Sequence, residues 1–143
     1  MQADILDALA TWLDTQTTVP VHYPEVKPAD YVKDAESIVI TPGGEAYSAG
    51  SRSYIPVARQ RADVRCYGPN AYRALAISRE VAGLLKNLTP RTVEIGPAGD
   101  EVDVRIYNAI LVSGPIALPD PDTKEACVYA TWGVLGSELE IAA

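Results

Sequence analysis

The chain has 143 residues and a mass of 15.3 kDa, enough for one domain with a core that needs no disulfide or metal. A hydrophobic content of 48% against 22% charged residues excludes a disordered or collagen-like chain. The net charge of −7 disfavours nonspecific attachment to DNA or to an anionic membrane.

There is no Phe, but there are eight Tyr and two Trp, so the core is expected to be built from Val, Ile, Leu and Ala. The aromatic rings are then left for edges and interfaces, where their polar tips stay wet. The longest aliphatic run, Ala109 to Val112, is too short to span a bilayer. Met1-Gln2-Ala3-Asp4 has no basic region and Asp7 interrupts the apolar run, so no signal peptide is expected. Two cysteines, Cys66 and Cys127, make no disulfide framework, and folding in a reducing cytoplasm is the expectation.

Charge is unevenly distributed. Met1 to Ser51 holds two basic and eight acidic residues, Arg52 to Arg91 eight basic and two acidic, and Thr92 to Ala143 two basic and nine acidic. Either the acidic flanks fold over the basic middle within one subunit, or the molecule has a positive and a negative face suited to head-to-tail association.

In chain order, Gln2 to Asp14 reads as a helix, with Ile5, Leu6, Leu9, Trp12 and Leu13 in one stripe. Asp4 and Asp7 complement its dipole, and Thr15 to Thr18 is expected to end it. Val19 to Tyr23 is a candidate short strand, followed by a Pro-bearing loop. Ser37 to Thr41 is a buried strand through Ile38-Val39-Ile40, and Pro42-Gly43-Gly44 turns the chain. Gly43 to Pro56 is either a long polar loop or an extended, partly paired arm.

Val57 to Tyr67 is the clearest strand. Ala58, Gln60, Ala62, Val64 and Cys66 face one way; Arg59, Arg61, Asp63, Arg65 and Tyr67 face the other. Gly68-Pro69 breaks it, and Asn70 caps a helix from about Ala71 to Asn87 with Ala74, Ile77, Val81, Leu84, Leu85 and Leu88 on its core side. Pro90 stops that helix and Gly96 to Gly99 is a turn. Val102, Val104 and Ile106 begin a strand through Val112; Gly114 to Thr123 is a loop and Cys127 to Leu135 a last strand. The strand–helix–strand unit around Ala71 to Asn87 is the one place for a parallel crossover. The expected fold is a single α+β domain over residues 1–143: a mostly antiparallel sheet of four to five strands with two helices packed on one face.

Little of this carries chemistry. His22 is alone, which excludes a multi-His metal site and leaves it structural or on the surface. No G-x-S-x-G, phosphate loop or G-x-G-x-x-G occurs, and Pro119-Asp120-Pro121-Asp122 reads as a turn and not a calcium loop. Asp100, Glu101 and Asp103 form a cluster with solvated carboxylates as its plain reading, and the two cysteines are small buried hydrophobes. Neither an enzyme nor a cofactor is expected. The sharpest constellation is the row Arg59, Arg61, Arg65. Like charges on one strand face repel unless answered; Asp63 supplies one local acid, and the rest call for partners within the subunit or on a neighbour.

The order of elements resembles the tail terminator (tail completion, minor-capsid type) proteins of long-tailed bacteriophages. The resemblance rests on the helix Ile5 to Leu13, Tyr23-Pro24, the buried strand into Thr41-Pro42-Gly43-Gly44, the polar arm, Ala58-Arg59-Gln60-Arg61-Ala62-Asp63-Val64-Arg65-Cys66-Tyr67-Gly68, the helix opening Asn70-Ala71-Tyr72-Arg73-Ala74-Leu75, Gly114-Pro115, Pro119-Asp120 and the closing strand. It covers most of the chain, and its motifs are patterns of elements, not a chemical signature. It implies a structural virion protein at the tail-neck junction, assembled in the host cytoplasm. Such a subunit forms a homo-oligomeric, hexameric ring that caps the tail tube, ends its polymerisation and joins the head through a connector or stopper protein. DNA would pass through the ring without sequence-specific binding. On this reading Arg59, Arg61, Arg65, Tyr47, Arg52, Tyr54, Asp120 and Asp122 are candidate interface residues. A head-completion or stopper subunit is the near alternative, and a small α+β ligand-binding module the distant one.

Overall fold

The computed structural model describes residues 5–26, 31–43, 47–48, 57–120 and 123–138. In chain order the elements are α1 (Ile5–Gln16), β1 (Val21–His22), β2 (Ser37–Pro42), β3 (Tyr47–Ser48), β4 (Val57–Gly68), α2 (Ala71–Lys86), β5 (Arg91–Ile95), β6 (Val102–Ala117) and β7 (Ala126–Glu138). The strands form one sheet in the order β1-β2-β4-β7-β6-β5, with β3 paired to β4 beyond the end of β2. All pairings are antiparallel except β1 with β2. The α+β class and the two helices on one face match the sequence expectation; the sheet is larger than expected, with seven strands among the described residues.

Both helices seal the same sheet face. Ile38 and Ile40 of β2, Ala62, Val64 and Cys66 of β4, Val128, Ala130, Trp132 and Val134 of β7, and Val104 and Ile106 of β6 are buried there. The α1 stripe contributes Ile5, Leu6, Leu9, Trp12 and Leu13, and α2 contributes Ala74, Ile77, Val81 and Leu85. Each buried aliphatic side chain contributes about 1.5–3 kcal/mol by leaving water. Gly136 lets α1 approach: a Cβ there would stand 2.9 Å from Cγ2 of Ile5 and 2.9 Å from the Arg105 carbonyl oxygen. The α1 helix runs to Gln16, two residues past the expected end, and Thr15 Oγ1 donates to the Trp12 carbonyl at 2.6 Å in its last turn. Asn70 caps α2 as expected, its Oδ1 accepting the Arg73 N–H at 2.9 Å.

Two expectations are corrected, and one strand lies where the sequence reading assigned no element. Residues 91–95 form that edge strand; its five residues alternate between half-buried and exposed, which left no apolar signature. Residues 114–117, expected in a loop, continue β6. Gly114 absorbs the irregularity with φ +93° in a stretch where the register against β7 shifts, so cross-strand pairing overrides the local Gly-Pro turn signal. No parallel crossover surrounds α2, because the next strand, β5, lies beyond β7 and β6 and runs antiparallel to β4. The parallel pair is β1 with β2.

Candidate interaction face

The helix-free face of the sheet gathers the polar side chains of β4 and β7. Strand alternation puts Arg59, Arg61, Asp63, Arg65 and Tyr67 on it, and the β4–β7 register sets them against Leu135, Gly133, Thr131, Tyr129 and Cys127 in turn. Asp63 accepts from Tyr129 Oη and Thr131 Oγ1, each at 3.0 Å. Its carboxylate is therefore answered by two hydroxyls and not by its arginine neighbours, contrary to the expected local pairing. The Arg65 guanidinium stands 5.9 Å from the Tyr129 ring centroid, in cation–π range. Arg59 lies along the bare backbone of Gly133, its Cδ and Nη1 each 3.6 Å from where a Cβ would sit. Arg61 and Arg65 are exposed and Arg59 is half-buried.

Among the described residues the single ion pair joins Arg73 to Glu36 at 2.6 Å, so none of the three row arginines has a carboxylate within ion-pair distance there. The guanidinium of Arg73 holds the Glu36 carboxyl below its usual range.

The same face ends in a cleft of 440 Å³ between β2, the β1–β2 connection and the turn before β7. Arg65, Tyr67, Asp120, Glu125, Tyr31 and His22 are among its lining residues. Tyr67 Oη donates to Asp120 Oδ2 at 2.8 Å, and Asp120 Oδ1 accepts the Thr123 N–H at 3.1 Å. Burial and this bond push the Tyr67 phenol well above its ordinary pKa. Glu125 is 5% exposed and accepts the Asp34 N–H at 2.5 Å, with Asp34 at φ +60°. The Asp120 carboxylate thus holds the turn inside the subunit. Burial also pushes the Cys66 thiol up to about 12 and raises that of Cys127; both cysteines are free.

Of the candidate interface residues, Arg59, Arg61 and Arg65 share this face, and the backbone of Tyr47 pairs with Arg59 through β3. That pairing is the part of the 43–56 arm that the structure describes beyond Gly43. Arg52, Tyr54 and Asp122 lie outside the described residues. Sequence reading missed Tyr129 and Thr131, although the alternation within Cys127 to Leu135 puts them on one parity. It also missed the apolar outer half of β6. Among the described residues no three His, Cys, Asp or Glu side chains converge as a metal site, and no helix is long and apolar enough to cross a membrane. The sequence matches no protein-family model, and no curated protein matches it.

Proposed function

We propose that the chain is a structural subunit of a phage tail, a tail terminator whose copies form a ring on the end of the tail tube. The ring stops tube growth and presents the surface that joins the head. The observation that carries this reading is the division of the sheet: one face is sealed by both helices, while the other offers Arg59, Arg61 and Arg65 with no ion-pair partner among the described residues. A rigid strand that displays arginines with no ion-pair partner among the described residues, beside tyrosines, is suited to an acidic protein surface, and Arg and Tyr are the residues enriched where protein interfaces are strong. The acidic flanks of the same sequence supply a surface of opposite sign for a head-to-tail contact. The net negative charge also disfavours adhesion of passing DNA.

The test is tube assembly. A tail-tube protein from the same source is polymerised alone and with the purified chain, and lengths are read by electron microscopy. Shortened tubes bearing a ring at one end support the reading; an unchanged length distribution with bare ends overturns it. A different neck subunit would form a ring yet bind the head connector in place of the tube. The 440 Å³ cleft favours one further reading, a ligand-binding module, which predicts a monomer whose melting temperature rises with a small molecule.

A further inference from the structure

Strand β6 runs far past its outer neighbour. β5 pairs with it only from Val102 to Ile106, so residues 107–117 are bonded to β7 on one side and to no strand on the other among the described residues. That free edge is about 37 Å long at the usual rise of a strand. From Tyr107 to Leu118 the sequence holds no charged residue. Ile110, Leu111, Val112, Ile116 and Leu118 lie along it, between 36% and 60% exposed. Ile110 stands opposite Gly133 on the helix-free face and Leu111 opposite Trp132 on the helix face, so the apolar surface wraps the edge. On the helix side it runs into a crevice of 180 Å³ whose lining includes Val81, Leu111, Pro115 and Trp132, with Arg79 and Lys86 of α2 beside them.

Natural edge strands are protected from pairing by charges, short length or a covering element. Here the edge is uncharged and no described element covers it; Pro115 and three register shifts against β7 interrupt its backbone, so what it offers a partner is its apolar side chains. We infer that the 107–117 edge of β6 is a self-association surface, and that its occupant is a second copy of this chain.

Charge permits a second copy and area argues for one. Two copies that each carry −7 repel, and 107–118 is a stretch along which they meet without opposing like charges. The five side chains expose on the order of 400 Å² of apolar surface, within the range of the largest patch on a monomer. A standard interface takes about 800 Å² from each partner, somewhat more than half of it apolar, so the patch is close to the apolar share of one side. The contact goes beyond the tail-tube reading, because it holds for any assembly of this chain, and the two fail separately.

The experiment is light scattering on size-exclusion fractions of the whole chain, with Ile110→Lys and Ile116→Lys as separate variants. The expected result is a wild-type mass that is a multiple of 15.3 kDa and at least tenfold weaker association in both variants, with melting temperatures close to wild type. Hydrogen exchange of the wild type keeps the test independent of whether a variant folds: amides within 107–117 should slow as concentration rises, while other edges do not. A wild-type chain that stays monomeric at about 200 μM, where even a weak dimer with a Kd on the order of 100 μM would show, overturns the inference and leaves the edge to a different protein. So does an oligomer that both lysines leave intact and whose exchange at 107–117 is independent of concentration. In that last case a ring that still caps tubes would keep the tail reading while this contact falls.

Discussion

Tyr67 and Asp120 tie the end of β4 to the turn that leads into β7, across 53 positions of sequence, through one hydrogen bond of 2.8 Å. The carboxylate that accepts it also receives the Thr123 N–H, so the phenol and the turn are fixed together. Tyr67→Phe removes the donor and leaves the ring. A hydrogen bond to a charged acceptor is worth about 1.5–3 kcal/mol, and the loss should appear as a lower urea midpoint at unchanged slope. An unchanged midpoint would show that the turn is held without Tyr67.

The α2 stripe separates two positions that the sequence pattern treats alike. Val81 is 2% exposed in the core, whereas Leu84 is half-buried against it. Val81→Asp puts a carboxylate among apolar side chains at a cost of several kcal/mol and should abolish soluble expression. Leu84→Asp can turn toward water and should give a folded, less stable protein. Equal melting temperatures for the two variants would overturn this phase of the helix.

The exposed arginines allow a charge test that spares the fold. Arg61→Glu with Arg65→Gln should leave the melting temperature within a few degrees, because neither side chain has an ion-pair partner among the described residues and glutamine brings no carboxylate beside Asp120; the loss is limited to the Arg65 contact with the Tyr129 ring. The same double variant should lose tube capping in the assembly assay, and the wild-type activity should fall with added salt as the arginine contacts are screened. Normal capping by the double variant would remove these arginines from the interface.

Glu36 gives a pH dependence of known sign. Its hydrogen bond from Arg73 lowers its folded-state pKa below the ordinary 4.5, so the folded state binds this proton less readily than the unfolded chain. The stabilisation is present above about 4.5 and is lost as pH falls through the lowered value. Both groups are exposed, so the effect is small. Melting curves of wild type and Glu36→Gln should differ at neutral pH and converge in acid. A gap that widens with acid would contradict the pairing.

The thiols provide a probe of opening. Cys66 and Cys127 are buried, and burial favours the protonated, unreactive form of each. An aromatic disulfide reagent at pH 8 should label neither in the native protein and both in urea. Rapid native labelling of Cys66 would mean that α2 lifts from β4 on the timescale of the reagent.

The long elements were legible because their patterns are strong over many residues. The alternation through Val57 to Tyr67 gave both faces of β4, and the stripes of α1 and α2 gave their core sides. What stayed hidden is decided by distant pairing. Gly114-Pro115 reads locally as a turn, yet it continues β6 because β7 lies beside it. Arg91 to Ile95 has little burial of its own and becomes a strand only as the neighbour of β6. The arginine row was visible as a row, but the partners of Asp63 were not, since Tyr129 and Thr131 are brought opposite from more than sixty positions away.

The position of β7 sets the timetable of folding. It is the last of the described strands to be made, and it lies between β4 and β6, bonded to both along most of its length. Before residue 138 is made, the two long strands beside it have no partner in the middle of the sheet, and α1, synthesised first, has only part of its platform. Folding of this domain therefore waits on β7 and is dominated by non-local contacts, which makes it slow. During that interval the nascent chain carries two unpaired strand edges, and chaperones that shield exposed strands have their window there.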